Sequence, residues 1–151
     1  MSKPHRIAAG GFIFNDNAVL LVRYRDDKGG TYLVGPGGAL KDDENVVQAL
    51  IRETLEETNV RVQPRRVVII EDLICSRFKM IKVWMICEVV GGIVCKTAGA
   101  QQEGIIEAGW FTKSQLADEI VFPSPLMQHD WNQLRSKNWP VECLPSLMAG
   151  F

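Results

Sequence analysis

The chain reads as an α/β (α+β) protein, a mixed β-sheet held between helix layers. Three features of the sequence argue for this. Short runs rich in Val, Ile and aromatic residues recur along its length, at Ile7 to Phe14, Ala18 to Arg23, Thr31 to Val34, Val67 to Ile74, Met80 to Val90 and Glu107 to Thr112. Clusters of Gly, Pro, Asn and Asp separate them. Between the third and fourth runs, Asn45 to Thr58 changes to helical periodicity.

Taken in order, Ile7 to Phe14 and Ala18 to Arg23 flank Asn15-Asp16-Asn17 and predict a hairpin. A polar loop, Arg25 to Gly30, leads to Thr31 to Val34. The following Gly35-Pro36-Gly37-Gly38 is expected to be a turn that continues neither strand nor helix. Asp42 or Asp43 is the expected N-cap of the helix. Gly91-Gly92 divides the fifth strand from Ile93 to Lys96, and Gly99 to Gly104 reads as a Gly- and Gln-rich loop. A short helix is expected from Ser114, and Ser124-Pro125 should open another to about Lys137, with Pro at its first position. The tail after Trp139 reads as irregular. No repeat and no linker interrupts the chain, so residues 1–151 are expected to form a single domain.

Bulk composition narrows the partners. The net charge is −1, with 23% charged and 46% hydrophobic residues. This balance gives no basic face for a nucleic-acid polymer and no attraction to an anionic membrane, so a small-molecule ligand is expected instead. The longest apolar stretch, Val83 to Cys95, is interrupted by Glu88 and a Gly pair and is too short to span a bilayer. Cys75, Cys87, Cys95 and Cys143 show no C-x-x-C spacing, which argues against a zinc cluster. Cys75 and Cys87 lie in apolar runs and read as buried thiols. Scattered free cysteines and the lack of a signal-peptide pattern suit the cytoplasm.

The helix carries the chemistry. Glu53, Glu56 and Glu57 stand at i, i+3 and i+4 and therefore share one face. Projected backwards at about 100° per residue, that face continues through Leu50, Ala49 and Val46, so it points at the protein. Most charge runs simply coat a surface, but this one has an apolar continuation. Like charges at these spacings destabilise a helix by ~0.2–0.5 kcal/mol per pair, a term that a cation would reverse. Hard oxygen ligands favour magnesium or manganese over zinc. Arg52, four residues before Glu56, can orient that carboxylate. Gly37-Gly38 lets backbone approach a ligand closely.

The pattern Gly38, five residues, Glu44, seven residues, then Arg52-Glu53-Thr54-Leu55-Glu56-Glu57-Thr58-Asn59-Val60 resembles the Nudix box, G-x5-E-x7-R-E-U-x-E-E-x-G-U, where U is a bulky aliphatic. Thr54 departs at the first aliphatic position and Asn59 at the late Gly. Asn tolerates the left-handed conformation that Gly supplies at a helix end. Glu107-Ala108-Gly109-Trp110-Phe111 resembles a second family segment, and the resemblance covers most of residues 6–120. It implies a Nudix fold, and a Mg2+-dependent hydrolase (Mn2+ as alternative) that cleaves the pyrophosphate linkage of a nucleoside diphosphate joined to another group. It also implies roles. Glu53, Glu56, Glu57 and the Gly38 carbonyl would be metal ligands. Glu44 would be a supporting acid, and Arg52 would position a catalytic glutamate. The family does not fix the general base; Glu53, central to the cluster, is the expected one, with Glu103 in the Gly99 to Gly104 loop as the alternative. A homodimer is compatible with the family.

For the substrate, Arg23, Arg25, Lys79 and Lys82 are phosphate candidates, Phe78 and Trp84 are base-stacking candidates, and Gly37 is a close-approach position. Ser76 stands where ADP-ribose hydrolases tend to carry Pro, and Phe78 stands near where dinucleoside-polyphosphate hydrolases carry Tyr. The expectation is a MutT-like (d)NTP pyrophosphohydrolase, with a nucleotide-sugar or ADP-ribose pyrophosphatase as alternative. A non-catalytic nucleotide sensor would tend to have lost Glu53, Glu56 or Glu57. A prenyl-diphosphate isomerase would need a reactive Cys, which Cys75 and Cys87 match poorly.

Overall fold

The first strand organises the molecule. In the computed structural model, which describes residues 2–150, β1 (His5–Asn15) sends alternate side chains into two cores. Ala9 and Ile13 enter one, Phe12 and Phe14 the other, and all are at most 7% exposed. A sheet buried on both faces reads as a continuous apolar run, as β1 does. The expected hairpin forms. β2 (Ala18–Arg25) pairs antiparallel with β1, Asn15 opposite Ala18, across a turn where Asp16 takes φ 52°.

β3 (Thr31–Val34) pairs with β2, and the chain then turns at Gly35-Pro36. The break stops there. Gly37 and Gly38 do not extend it as expected, but start β4 (Gly37–Ala39), antiparallel to β1 with Gly10 opposite Gly37 and Ala9 opposite Gly38. Glycine is used here for contact. A Cβ on Gly37 would lie 2.1 Å from the Ala9 carbonyl oxygen.

α1 (Val46–Thr58) is capped by Asn45, not by Asp42 or Asp43. Asn45 Oδ1 accepts from the Gln48 N–H at 2.8 Å, and Gln48 Oε1 accepts from the Asn45 N–H at 3.0 Å. The reciprocal box requires Gln at the third helical position, which only Asn45 sees. Asn59 closes the helix at φ 64°, donating its N–H to Leu55 O, so it supplies the left-handed end expected at that position. Ala49 and Leu50 are fully buried in the core shared with Ala9, Ile13 and Met85.

β5 (Arg61–Ile74) and β6 (Lys79–Gly91) form a long antiparallel hairpin, and β6 pairs parallel with β1, Trp84 opposite Gly10. Both strands outrun their apolar runs, because the ladder continues through the irregular stretch at Pro64 and Arg66. The expected loop at Gly99 to Gly104 contains α2 (Ala98–Gln102), whose N-cap Thr97 accepts from the Ala100 N–H at 2.9 Å. β7 (Ile105–Thr112) pairs with β2, a 3-10 turn follows at Ser114–Leu116, and β8 (Val121–Phe122) pairs parallel with β3.

The expected helix from Ser124 to Lys137 is two short ones, α3 (Pro125–Gln128) and α4 (Trp131–Arg135). Asp130 interrupts it by capping α4, accepting from the Asn132 and Gln133 N–H groups. The tail is less irregular than expected: β9 (Glu142–Cys143) and β10 (Leu147–Met148) pair parallel with β5. The sheet runs β10-β5-β6-β1-β2-β3-β8, with β4 beside β1, β7 beside β2 and β9 beside β5. α1 covers one face, while Leu126, Trp131 and Leu134 of α3 and α4 join Phe12 and Trp84 on the other. This is the mixed sheet between helices that the sequence implies. No helix is long and apolar enough to cross a membrane among the described residues.

Candidate active site

The last two turns of α1 turn Glu53 and Glu57 inward, beside β4, while Glu56, expected on the same inward face, is exposed. Glu53 is 8% exposed and Glu57 is 1% exposed, whereas Leu55 between them is 37% exposed. The Gly37 N–H donates to Glu57 Oε1 at 3.1 Å. Glu57 Oε2 is buried and has no hydrogen-bond partner among the described residues. Gly38 lies directly under Glu53, where an added Cβ would stand 2.5 Å from the carboxyl carbon. Glu103 arrives from the C-cap of α2. Carboxylate oxygens of Glu53, Glu57 and Glu103 all fall within 4.8 Å of one another.

Three carboxylates this close, two of them buried, are a poor arrangement for bare negative charge. Burial raises the carboxyl pKa of Glu53, and raises that of Glu57 well above the ordinary range. Glu103 is raised first by burial, then by the charges of Glu53 and Glu56. A hard divalent cation fits this set, because it answers both the crowded charge and the unpartnered Glu57 oxygen.

Arg52 ties the rest of the site together. Its Nε donates to Glu44 Oε1 at 2.5 Å and its Nη2 to Glu44 Oε2 at 2.9 Å. Its Nη1 reaches Glu53 Oε1 at 2.9 Å and Glu56 Oε2 at 3.2 Å, and its Nη2 reaches the Ala39 carbonyl at 3.3 Å. Glu44 also accepts from the Lys41 N–H at 2.9 Å. Arg52 beside it holds the Glu44 carboxyl down at about 2. So Glu44, Arg52 and Glu53 form one linked unit, while Glu56 stands at the rim with its side chain 44% exposed.

The expected substrate residues fare differently. Arg23 does not present free donors to phosphate. Its Nε donates to Glu107 at 2.6 Å, its Nη1 and Nη2 to Glu119 at 2.9 and 3.0 Å, and its Nη1 also to Thr31 at 3.0 Å. It is a tie between β2, β7 and the segment entering β8. Replacing Arg23 by Met is expected to lower Tm by roughly 2–4 °C, for a loss of about 1 kcal/mol, with KM unchanged. Thermal unfolding and steady-state kinetics check this, and a raised KM at constant Tm would contradict it.

Arg25 is exposed at the end of β2. Phe78 closes the β5–β6 turn, 6% exposed, with the Arg6 guanidinium 4.2 Å over its ring and its carbonyl accepting from the Cys75 N–H. It is therefore a buried turn residue, not an open stacking face. Trp84 is 1% exposed, stacks on Phe12 at 5.3 Å and donates Nε1–H to Glu71 at 2.6 Å, so it too belongs to the core. Lys79 stands 3.7 Å from Asp72. Lys82 holds its ammonium 4.4 Å over the Trp84 ring, facing Glu71, Glu57 and Glu53, and burial lowers its pKa.

Glu71 and Tyr24 escaped the sequence reading. Glu71 is opposite Lys82 in the β5–β6 ladder, and strand pairing was the signal that could have found it. The hydroxyl of Tyr24 is raised by burial and then by Glu57, Glu103 and Glu53. Cys75 and Cys87 are buried as expected, and burial pushes the Cys87 thiol up to about 12, far from a reactive thiolate.

Known proteins share this fold. The model of the NUDIX domain matches residues 4–132. Human 8-oxo-dGDP phosphatase NUDT18 is 28% identical over 121 residues, covering 79% of this chain and 34% of that protein. Its Danio rerio counterpart is 30% identical over 124 residues, covering 80% and 34%. The chain thus spans about a third of the length of these relatives. Among solved structures, a NUDIX hydrolase from Nitrosomonas europaea superposes with a TM-score of 0.70 at 18% identity, over 99% of this chain and 80% of that one. A MutT NUDIX hydrolase from Burkholderia pseudomallei gives 0.64 at 21% identity, over 83% and 96%. With the box acids gathered on α1 and the domain match spanning most of its length, the chain belongs to the NUDIX family.

Proposed function

We propose that this chain is a magnesium-dependent hydrolase that cleaves the pyrophosphate linkage of small nucleotides, with nucleoside di- and triphosphates as its substrate class. The observation that carries the reading is the carboxylate trio of Glu53, Glu57 and Glu103, with one buried Glu57 oxygen left without a partner among the described residues. Glu53, Glu56, Glu57 and the Gly38 carbonyl are the proposed ligands, and Glu103 extends the set. A cation bound there supplies positive charge against the phosphates and lowers the pKa of a water. The chain's own residues hold the geometry. Arg52 fixes Glu53 in place, and Glu44 fixes Arg52.

Glu103 is the better placed general base. It is exposed at the C-cap of α2, whereas Glu53 is buried and held by Arg52. The proposed substrate class is supported by the relatives named for a nucleoside diphosphate, 8-oxo-dGDP. The structural neighbours named for other substrates are too distant in sequence to carry a substrate.

A panel of nucleoside di- and triphosphates (8-oxo-dGDP included), nucleotide sugars and ADP-ribose, assayed with magnesium for nucleoside monophosphate formation and for release of phosphate or pyrophosphate, tests the reading. Cleavage of the di- or triphosphates that stops in EDTA is expected. Selective formation of nucleoside monophosphate and sugar phosphate from nucleotide sugars would move the substrate class, and no cleavage of any nucleotide would overturn the reading.

A further inference from the structure

Three aromatic rings form a row across β2, β3 and β8. Tyr24 on β2 lies opposite Tyr32 on β3, and their rings stack with centroids 5.5 Å apart at 18°. Tyr32 in turn meets Phe122 edge-on at 5.9 Å and 77°. β8 brings Phe122 there, pairing it with Val34, and the Gly35 N–H donates to the Phe122 carbonyl at 3.3 Å.

This row is built onto the site from two directions. Tyr24 packs against the buried cluster of Val22, Ala100 and Ile105, and Ala100 belongs to α2, the helix that ends at Glu103. β3 runs through Gly35-Pro36 into Gly37 and Gly38, which touch Glu57 and Glu53. The outer end of the row is open. Phe122 is 41% exposed and Tyr32 is part-exposed, and among the described residues no cation covers either ring.

An open aromatic pair adjoining a phosphate-directed site matches one part of a nucleotide, the flat face of its base. Every base offers such a face whatever its edge pattern. We propose that Tyr32 and Phe122 form the stacking surface for the nucleobase of the substrate, with Tyr24 as the ring that joins this surface to the acid cluster. The inference rests on the reading that the site takes a nucleotide. It places base contact on β3 and β8, away from the buried Phe78 and Trp84.

Titration calorimetry with the α,β-methylene analogues of ATP and GTP in magnesium tests it. Phe122→Ala is expected to weaken both analogues about 10-fold, in line with a stacking contact, while inorganic pyrophosphate binds as in the wild type. Phe122→Trp should retain wild-type binding, and Tyr32→Ala should weaken binding like Phe122→Ala. Phe122 is 41% exposed, so its replacement leaves the core intact. Unchanged analogue affinity in Phe122→Ala would overturn the subsite, as would equal weakening of pyrophosphate or a wild type that binds neither analogue. A wild type that binds the analogues through Phe122 but hydrolyses no nucleotide would overturn the catalytic reading and leave the subsite standing. Normal hydrolysis with unchanged Phe122→Ala affinity would do the reverse.

Discussion

Replacing Glu57 by Gln is expected to lower turnover at least about 100-fold at saturating magnesium, through a weakened cation site. Glu57 is 1% exposed, spends Oε1 on the Gly37 N–H and keeps Oε2 unpartnered. Gln preserves the shape and removes the charge, so the loss would come from chemistry and not from packing. The same variant should gain stability when metal is absent. Burial holds the Glu57 carboxyl well above its ordinary value of 4.5 in the folded chain. Between that value and the folded one, the native state binds more protons than the unfolded state, so stability falls as pH rises. In chelator, wild-type Tm should therefore decline as pH rises above about 4.5, and the decline should be shallower in Glu57→Gln. Near-normal turnover, or a pH slope identical to wild type, would contradict the role given to Glu57.

The two glycines of β4 should separate stability from catalysis. At Gly38 an added Cβ meets the Glu53 carboxyl carbon at 2.5 Å, against ordinary contact from 3.4 Å. The end of a flexible side chain can retreat, so Gly38→Ala should fold with little change in Tm. The carboxyl must then move by about 1 Å, a displacement that can cost about 100-fold in turnover. At Gly37 the obstacle is backbone: Ala9 O at 2.1 Å and the Gly10 Cα at 2.7 Å. Gly37→Ala should part β4 from β1 and cost about 1–3 kcal/mol, a fall in Tm of at least about 3 °C. Thermal unfolding with parallel rate measurements checks both. Wild-type turnover in Gly38→Ala would contradict the placement of Glu53.

What could be read ahead of the structure was local pattern. The inward face of α1 was legible because Glu53, Glu57, Leu50 and Ala49 recur at helical spacing, and all are buried. The strands were legible as apolar runs bounded by Gly, Pro, Asn and Asp, and β1 is such a run, buried on both faces. Contacts across the chain were not legible. Glu103 joins the acids only because Thr97 caps α2 and also donates to the Glu56 carbonyl, which docks that helix on α1. Arg23 looked available because Glu107 and Glu119 lie far along the sequence. Phe78 looked like a stacking ring because the Arg6 contact that covers it crosses the sheet. The G-P-G-G segment read as a turn because Gly and Pro punctuate chains. Here two of its glycines serve close packing between β1 and the acids.

The central claim is that Glu53, Glu57 and Glu103 hold a divalent cation. Electron paramagnetic titration of the substrate-free protein with Mn2+ tests it most directly, because it reads the cation without turnover. The expected result is binding by the wild type, loss of it in Glu53→Gln and Glu57→Gln, and weakening by several-fold in Glu103→Gln. Mn2+ binding by Glu57→Gln equal to the wild type would contradict it.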